Sequence, residues 1–203
     1  MREIEWASDG GDGAVGDRLR SVLAASERPM IALPGGGTPR PILQALAANW
    51  DSQWRPTFTL TDDRLVPAGH PASNFGMVSA ALAETTATIQ PLIEGERLGG
   101  FDLVWVGMGA DGHIASLFPG TSIARDAAPL VARAWPDPLP PEAPFERLTL
   151  TLSSLTATSA LMIVVRGEAK CALLNAAIAG DERLPIGQLL AAARSPVTIY
   201  WTP

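Results

Sequence analysis

Apolar residues along this chain follow two rhythms that alternate from end to end. Compact runs rich in β-branched and aromatic residues, at positions 30–33, 57–61, 101–106, 160–165 and 197–201, read as short buried strands. Residues 147–152, Arg-Leu-Thr-Leu-Thr-Leu, alternate and predict one more. Between the runs, apolar residues return every three or four positions: Val15, Leu19, Val22 and Leu23, then Ile42, Leu43, Leu46 and Ala47, then Met77, Ala81 and Leu82, and later Leu174, Ala177 and Ile178. That spacing predicts helices with one buried face. A short serine-started helical segment should follow residue 152, and a last helix should cover 186–193. Thr38 is the expected N-cap of the second helix, with Pro39 at its first position, and Ser73 that of the third.

Strands that alternate with helices imply an α/β protein. The expected architecture is a three-layer sandwich with a mostly parallel, doubly wound central sheet of about six strands. The opening dozen residues, ending in Asp-Gly-Gly-Asp-Gly, read as a loose start, and 85–100 as a variable connection. Residues 121–144 carry no long periodic run, and the prolines of 135–141 require irregular backbone. No internal repeat stands out, and 203 residues suit one domain over 1–203.

Composition narrows the function classes. A 47% hydrophobic content with 18% charged residues fits a globular protein, and a formal charge of −6 disfavours a nucleic-acid partner, which needs a basic field. Cys171 is the single cysteine, so no internal disulfide and no cysteine-rich metal site is expected. It reads as a small buried helix residue. No apolar run approaches the ~20 residues of a membrane span, and the polar opening MREIEWASDGGDG predicts no secretory signal and a cytoplasmic location.

An acidic protein that binds an anion must gather its few cations, and the strand ends show where. The run 30–33 enters Gly35, Gly36, Gly37 and Thr38, a glycine loop before a helix start, which presents free N–H groups to phosphate. It lacks the Lys-Ser/Thr of a nucleotide-binding P-loop, and a tight turn alone would also explain it. Asp62 and Arg64 follow the next strand, where the arginine could offer two donors to phosphate or form only a surface pair with an aspartate. After 101–106 come Gly107 and Gly109, then Asp111-Gly112-His113, a carboxylate and an imidazole that can converge on one point. His70, the other histidine, is expected to be solvent-exposed and without a partner. Lys170 falls in the first turn of a helix, where a cation opposes the dipole unless it faces an anion; a merely solvated lysine is the plainer reading. In a parallel sheet these loops share the carboxyl edge, the side where such sheets hold ligands.

The segment 107–120, GMGADGHIASLFPG, resembles the signature of the 6-phosphogluconolactonases, within the glucosamine-6-phosphate deaminase and isomerase superfamily. Three further matches follow the family order: the GGGTP loop at 35–39, the Asp62-Asp63-Arg64-x-Val66-Pro67 segment with Ser73-Asn74 downstream, and the Arg147-x-Thr149 strand with the Gly167 to Lys170 segment. Asp63 departs from the usual glutamate, Leu60 from a common tryptophan and Cys171 from an alanine. The resemblance implies a NagB/RpiA/CoA-transferase-like fold and hydrolysis of 6-phosphoglucono-δ-lactone to 6-phosphogluconate. His113 would be the general base with Asp111 as its partner. Gly35, Gly36, Gly37, Thr38, Asp62, Arg64, Arg147 and Lys170 would hold the substrate and its phosphate. Backbone N–H groups over 109–112 would face the oxyanion. It further implies no metal and no cofactor, a small sugar-phosphate lactone as the only partner, and a monomer or weak homodimer. Two alternatives stay open. A glucosamine-6-phosphate deaminase or isomerase would carry Gly-His-Ile-Ala-Phe-Asn-Glu-Pro here, and Ser116-Leu117-Phe118-Pro119 has no carboxylate. A noncatalytic sugar-phosphate sensor would not need the Asp-His pair.

Overall fold

The structure is a computed structural model that describes residues 3–120, 123–135 and 144–203. Strand β1 (Ile4–Trp6) leads to helix α1 (Asp12–Ala25), β2 (Met30–Leu33), α2 (Pro39–Ala48) and β3 (Thr57–Leu60). Then come β4 (Asp62–Arg64), α3 (Asn74–Ala81), β5 (Thr88–Ile89), β6 (Leu103–Gly107), β7 (Val131–Ala134) and β8 (Arg147–Leu150). The chain closes with α4 (Leu152–Thr156), β9 (Leu161–Arg166), α5 (Glu168–Ile178), α6 (Pro185–Ala192) and β10 (Val197–Thr202).

Seven strands form the central sheet in the order β1-β10-β9-β6-β2-β3-β5, and every pairing is parallel. Helices α1, α2 and α3 pack on one another, and α6 packs on both α4 and α5, which gives the doubly wound α/β sandwich. Parallel strands covered on both faces need apolar side chains in both directions, and β2, β6 and β9 supply them almost without interruption. Trp105 and Phe58 are the bulkiest fully buried side chains of the core they form.

The winding reverses at one place. From β2 the sheet grows through β3 to β5, whereas β6, β9 and β10 are laid down on the other side of β2. Loops leaving β2 and β6 therefore diverge, and a crevice opens between them at the carboxyl edge.

Several elements differ from the sequence expectation. The opening residues are not loose: β1 pairs with β10 at the far end of the chain. The connection at 85–100 holds β5. A second sheet, antiparallel in the order β4-β8-β7, was not expected at all, and it takes residues 147–150 away from the central sheet. Thr38 has helical backbone angles (φ −66°, ψ −45°) and makes no side-chain cap, because a capping hydroxyl needs extended backbone to reach the next turn. Ser73 does cap, accepting from the Gly76 N–H at 3.0 Å. Thr151 rather than a serine opens α4. Of the irregular stretch expected at 121–144, residues 121–122 and 136–143 lie outside the described residues, and β7 occupies 131–134.

Candidate active site

A cavity of about 250 Å³ fills the crevice between the β2 and β6 loops. Gly35, Gly36, Gly37 and Thr38 line it from one side and Gly107, Gly109 and His113 from the other. Asp62, Arg64 and Arg147 reach in from the small sheet, and Lys170 from the first turn of α5. The structure thus brings every expected site residue to this cavity except Asp111, which stands behind the imidazole.

The β6 loop is shaped around His113. Its Nδ1 lies 2.6 Å from Asp111 Oδ1, and the same oxygen accepts the His113 backbone N–H at 3.1 Å. Desolvation pushes the Asp111 carboxyl up, but the backbone N–H, the charge and the ring N–H of His113 together outweigh it and hold the group below its usual range. With Nδ1 as the donor, the proton-free nitrogen is Nε2. The ring covers Gly109, where a Cβ would overlap both Cε1 and Nδ1, so no other residue fits there. On the far side Phe118 packs against the imidazole at 4.8 Å between centroids.

Not every backbone donor of this loop is available. Gly109 N–H donates to the His113 carbonyl and Gly112 N–H to the Gly109 carbonyl, so neither can serve a substrate oxyanion as the sequence suggested. Their bonds hold the turn closed instead. Past His113 the chain makes a second tight turn in which Ala115 takes φ 48°, the one non-glycine residue with positive φ among those described. That turn aims Ser116 inward. Its hydroxyl donates to Asp62 Oδ2 at 2.6 Å and its N–H to Thr149 Oγ1 at 3.1 Å, so the His113 loop is tied to β4 and β8.

The small sheet explains the spacing of the Asp-Asp-Arg segment. Side chains on a strand alternate, so Asp62 and Arg64 face the cavity and Asp63 faces away. Asp63 accepts from the N–H groups of Arg64 (2.8 Å), Asn74 (2.6 Å) and Phe75 (3.0 Å), and so caps the start of α3. Burial nevertheless pushes its carboxyl up. Arg64 sits directly across from Arg147 in the β4–β8 register. Like charges in that position repel, and Arg147 is only 4% exposed. Burial first, with Arg64 adding to it, lowers the Arg147 pKa against the opposing pull of Asp62. Its guanidinium lies 5.3 Å from the Phe118 ring centroid. Two arginines paired across the strands and Lys170 all line this one cavity, an arrangement whose chemistry can hold a multiply charged anion.

The profile of the family described as glucosamine-6-phosphate isomerases/6-phosphogluconolactonase matches residues 12–97 and 80–201. The chain belongs to that family. It is 35% identical to the 6-phosphogluconolactonase of Pseudomonas aeruginosa, across 93% of this chain and 87% of that protein. In fold it is similar to a 6-phosphogluconolactonase from Shewanella baltica, with a TM-score of 0.80 and 24% identity over 100% of this chain and 98% of the other. A monomeric glucosamine-6-phosphate deaminase of the NagB superfamily superposes with a TM-score of 0.78 at 15% identity, covering 98% of this chain and 96% of that one.

Three polar or aromatic cavity residues escaped the sequence reading. Asn74, only 4% exposed, lines the cavity and bonds to both Arg64 and Asp62. Its place in the Ser73-Asn74 family segment was the available signal. Arg166, at the end of β9, also lines the cavity and pairs with Asp12 at 2.7 Å. Trp105 contributes a wall from within β6, which an apolar strand pattern does not distinguish from core. Two other expectations are corrected. His70 is half-buried, accepts the Ala72 N–H at Nδ1 (3.1 Å) and packs on Phe145. Cys171 is partly exposed, with Asn175 Nδ2 at 3.6 Å from its sulfur.

Among the described residues no group of three His, Cys, Asp or Glu side chains is placed to hold a metal. No helix there is long and apolar enough to cross a membrane.

Proposed function

We propose that this chain is a 6-phosphogluconolactonase, opening 6-phosphoglucono-δ-lactone to 6-phosphogluconate in the oxidative branch of the pentose phosphate pathway. The observation that carries the reading is the pairing, in one cavity, of an Asp-oriented imidazole with two opposed arginines. One end suits an ester carbonyl and the other a phosphate dianion. The membership of the family and the likeness to named lactonases support it.

In the reaction, Arg64, Arg147, Lys170 and the N–H groups of the Gly35–Thr38 loop grip the phosphate. Binding at this distal group fixes the carbonyl carbon C1 beside His113. Nε2 removes a proton from water as the water oxygen bonds to C1. The tetrahedral intermediate collapses by breaking the bond from C1 to the ring oxygen, and the imidazolium returns its proton to that oxygen as a hydroxyl. The new carboxylic acid then ionises. Asp111 keeps the ring in the required tautomer and balances its transient charge. Asp62, with Oδ2 tied to Ser116, presents Oδ1 toward a sugar hydroxyl, this oxygen having only the long contact of 3.5 Å from Thr61 Oγ1 among the described residues. Where a carboxylate would be needed to assist sugar-ring opening in deamination, Phe118 offers only an apolar ring, tilted against His113.

Acid release from freshly generated 6-phosphogluconolactone, read against spontaneous opening, tests the reading. Acceleration in proportion to enzyme is expected. No acceleration, or ammonia release from glucosamine 6-phosphate instead, would overturn it.

A further inference from the structure

We propose that Asn74 is the positioning residue that makes this cleft select phosphorylated substrates, by locking the Arg64 guanidinium and the Gly35 turn in their anion-binding arrangement. The substrate named rests on the lactonase reading above; the anion does not.

Three parts of the cleft meet at the Asn74 side-chain amide. Its backbone N–H is anchored by Asp63 Oδ1 at 2.6 Å, which fixes the first residue of α3. Its Nδ2 donates to the Asp62 carbonyl at 2.8 Å, and its Oδ1 accepts from Arg64 Nη1 at 3.1 Å. The same Oδ1 rests on Gly35, where an added Cβ would overlap it. Only an amide meets both polar demands at this size. A carboxylate would turn a lone pair toward the Asp62 carbonyl and set a competing charge beside Arg64, and an apolar side chain would take away the Asp62 carbonyl's bond and one of the two acceptors of Arg64 Nη1.

The consequence falls on Arg64. Nη1 is saturated by Asn74 and by the Ala72 carbonyl at 2.9 Å. Among the described residues Nε is buried with no hydrogen-bond partner, and Nη2 is the nitrogen we assign to a ligand. Across the strand pair, Arg147 repels this guanidinium, and without a tether Arg64 would swing away from it whenever the cavity holds no anion. Asn74 keeps the two together, so the repulsion is borne by the folded protein and not charged against binding.

The test compares wild type, Asn74→Ala, Asn74→Asp, Arg64→Ala and the Asn74→Ala/Arg64→Ala pair. Each is assayed with 6-phosphoglucono-δ-lactone, with glucono-δ-lactone, and with inorganic phosphate as inhibitor and as thermal-shift ligand. For Asn74→Ala, kcat/KM on the phosphorylated lactone should fall by about 10–100-fold, through KM, as expected for a lost bond to a charged group. The loss on glucono-δ-lactone, which carries no phosphate, should be several-fold smaller than on the phosphorylated lactone, and the phosphate inhibition constant should rise by the same factor as KM. Asn74→Asp, which preserves volume, should bind phosphate more weakly still, and it decides the matter if the alanine variant does not fold. The double variant should lose clearly less than the product of the two single losses. A folded variant with unchanged phosphate affinity would overturn the proposal, as would equal losses on both lactones or additive effects with Arg64→Ala. Should wild type open neither lactone, the lactonase reading fails, while the phosphate-induced thermal shift still decides the role of Asn74.

Discussion

One oxygen of Asp111 holds His113 at two points, through the ring Nδ1 at 2.6 Å and the backbone N–H at 3.1 Å. Position and tautomer of the imidazole thus depend on a single carboxylate on the same turn. In Asp111→Asn the amide oxygen can still accept both bonds, but the flipped amide donates an N–H to Nδ1 and favours the other tautomer, so the reactive nitrogen becomes ambiguous. Turnover should fall by about 10²–10⁴-fold, the range of general-base assistance, with KM changed by less than the fall in kcat. Steady-state kinetics on the phosphorylated lactone check this.

The same contact carries a sign in pH. Because the folded Asp111 pKa lies below its unfolded value, the pair adds stability that is complete above about pH 4 and is lost as pH falls through the folded value. Thermal midpoints measured from neutral to acid pH should therefore drop more steeply in wild type than in Asp111→Asn, and the two curves should converge at the acid end. Both side chains are partly exposed, so the effect will weaken with added salt.

Gly109 leaves no room beneath the imidazole. A Gly109→Ala variant must push the ring off its Asp111 contact, since the new Cβ would meet the ring atoms and Asp111 Oδ1 together. We expect kcat to fall by at least tenfold, about the cost of a 1.4 kcal/mol misplacement, while inorganic phosphate binds as before. Paired kinetics and phosphate inhibition constants separate the two effects.

The opposed arginines predict a ligand effect on stability. Phosphate that binds only the folded form at 100 times its dissociation constant should add about 2.7 kcal/mol, seen as a raised melting temperature. In Arg147→Met, which keeps an extended apolar stem but no charge, that rise should shrink to a small fraction, and KM for the phosphorylated lactone should increase by about tenfold or more. Differential scanning calorimetry with and without phosphate provides the comparison.

Much of the central sheet was legible in the sequence because a strand covered on both faces has to be apolar throughout. Runs such as Met30–Leu33 and Leu161–Arg166 announce themselves in this way. The glycine loops and the Asp111-Gly112-His113 turn were equally plain, since each follows such a run directly. What stayed hidden was non-local. Ile4–Trp6 becomes a strand only because Val197 to Ile199 lie beside it. β4 is three residues long and continues from β3 with no turn residue between Leu60 and Asp62, so nothing local marks the passage into a second sheet. The apposition of Arg64 with Arg147 depends on that hidden pairing, and so does the inward aim of Ser116 toward Asp62 and Thr149. Asn74 looked like an ordinary residue after a helix cap because its partners lie on β4 and in the Gly35 turn, which only the fold brings to it.

The Gly112 carbonyl accepts the Ile186 N–H at 3.2 Å, and the Leu184 side chain fills the space where a Gly112 Cβ would stand. The turn that carries His113 is therefore braced from outside by the short link between the last two helices, ending in Leu184, and by the first turn of α6, neither of which lines the cleft. Natural variation in that link would register as slower turnover in an otherwise intact, well-behaved protein, and a search for rate-altering substitutions confined to the cleft walls would pass it by.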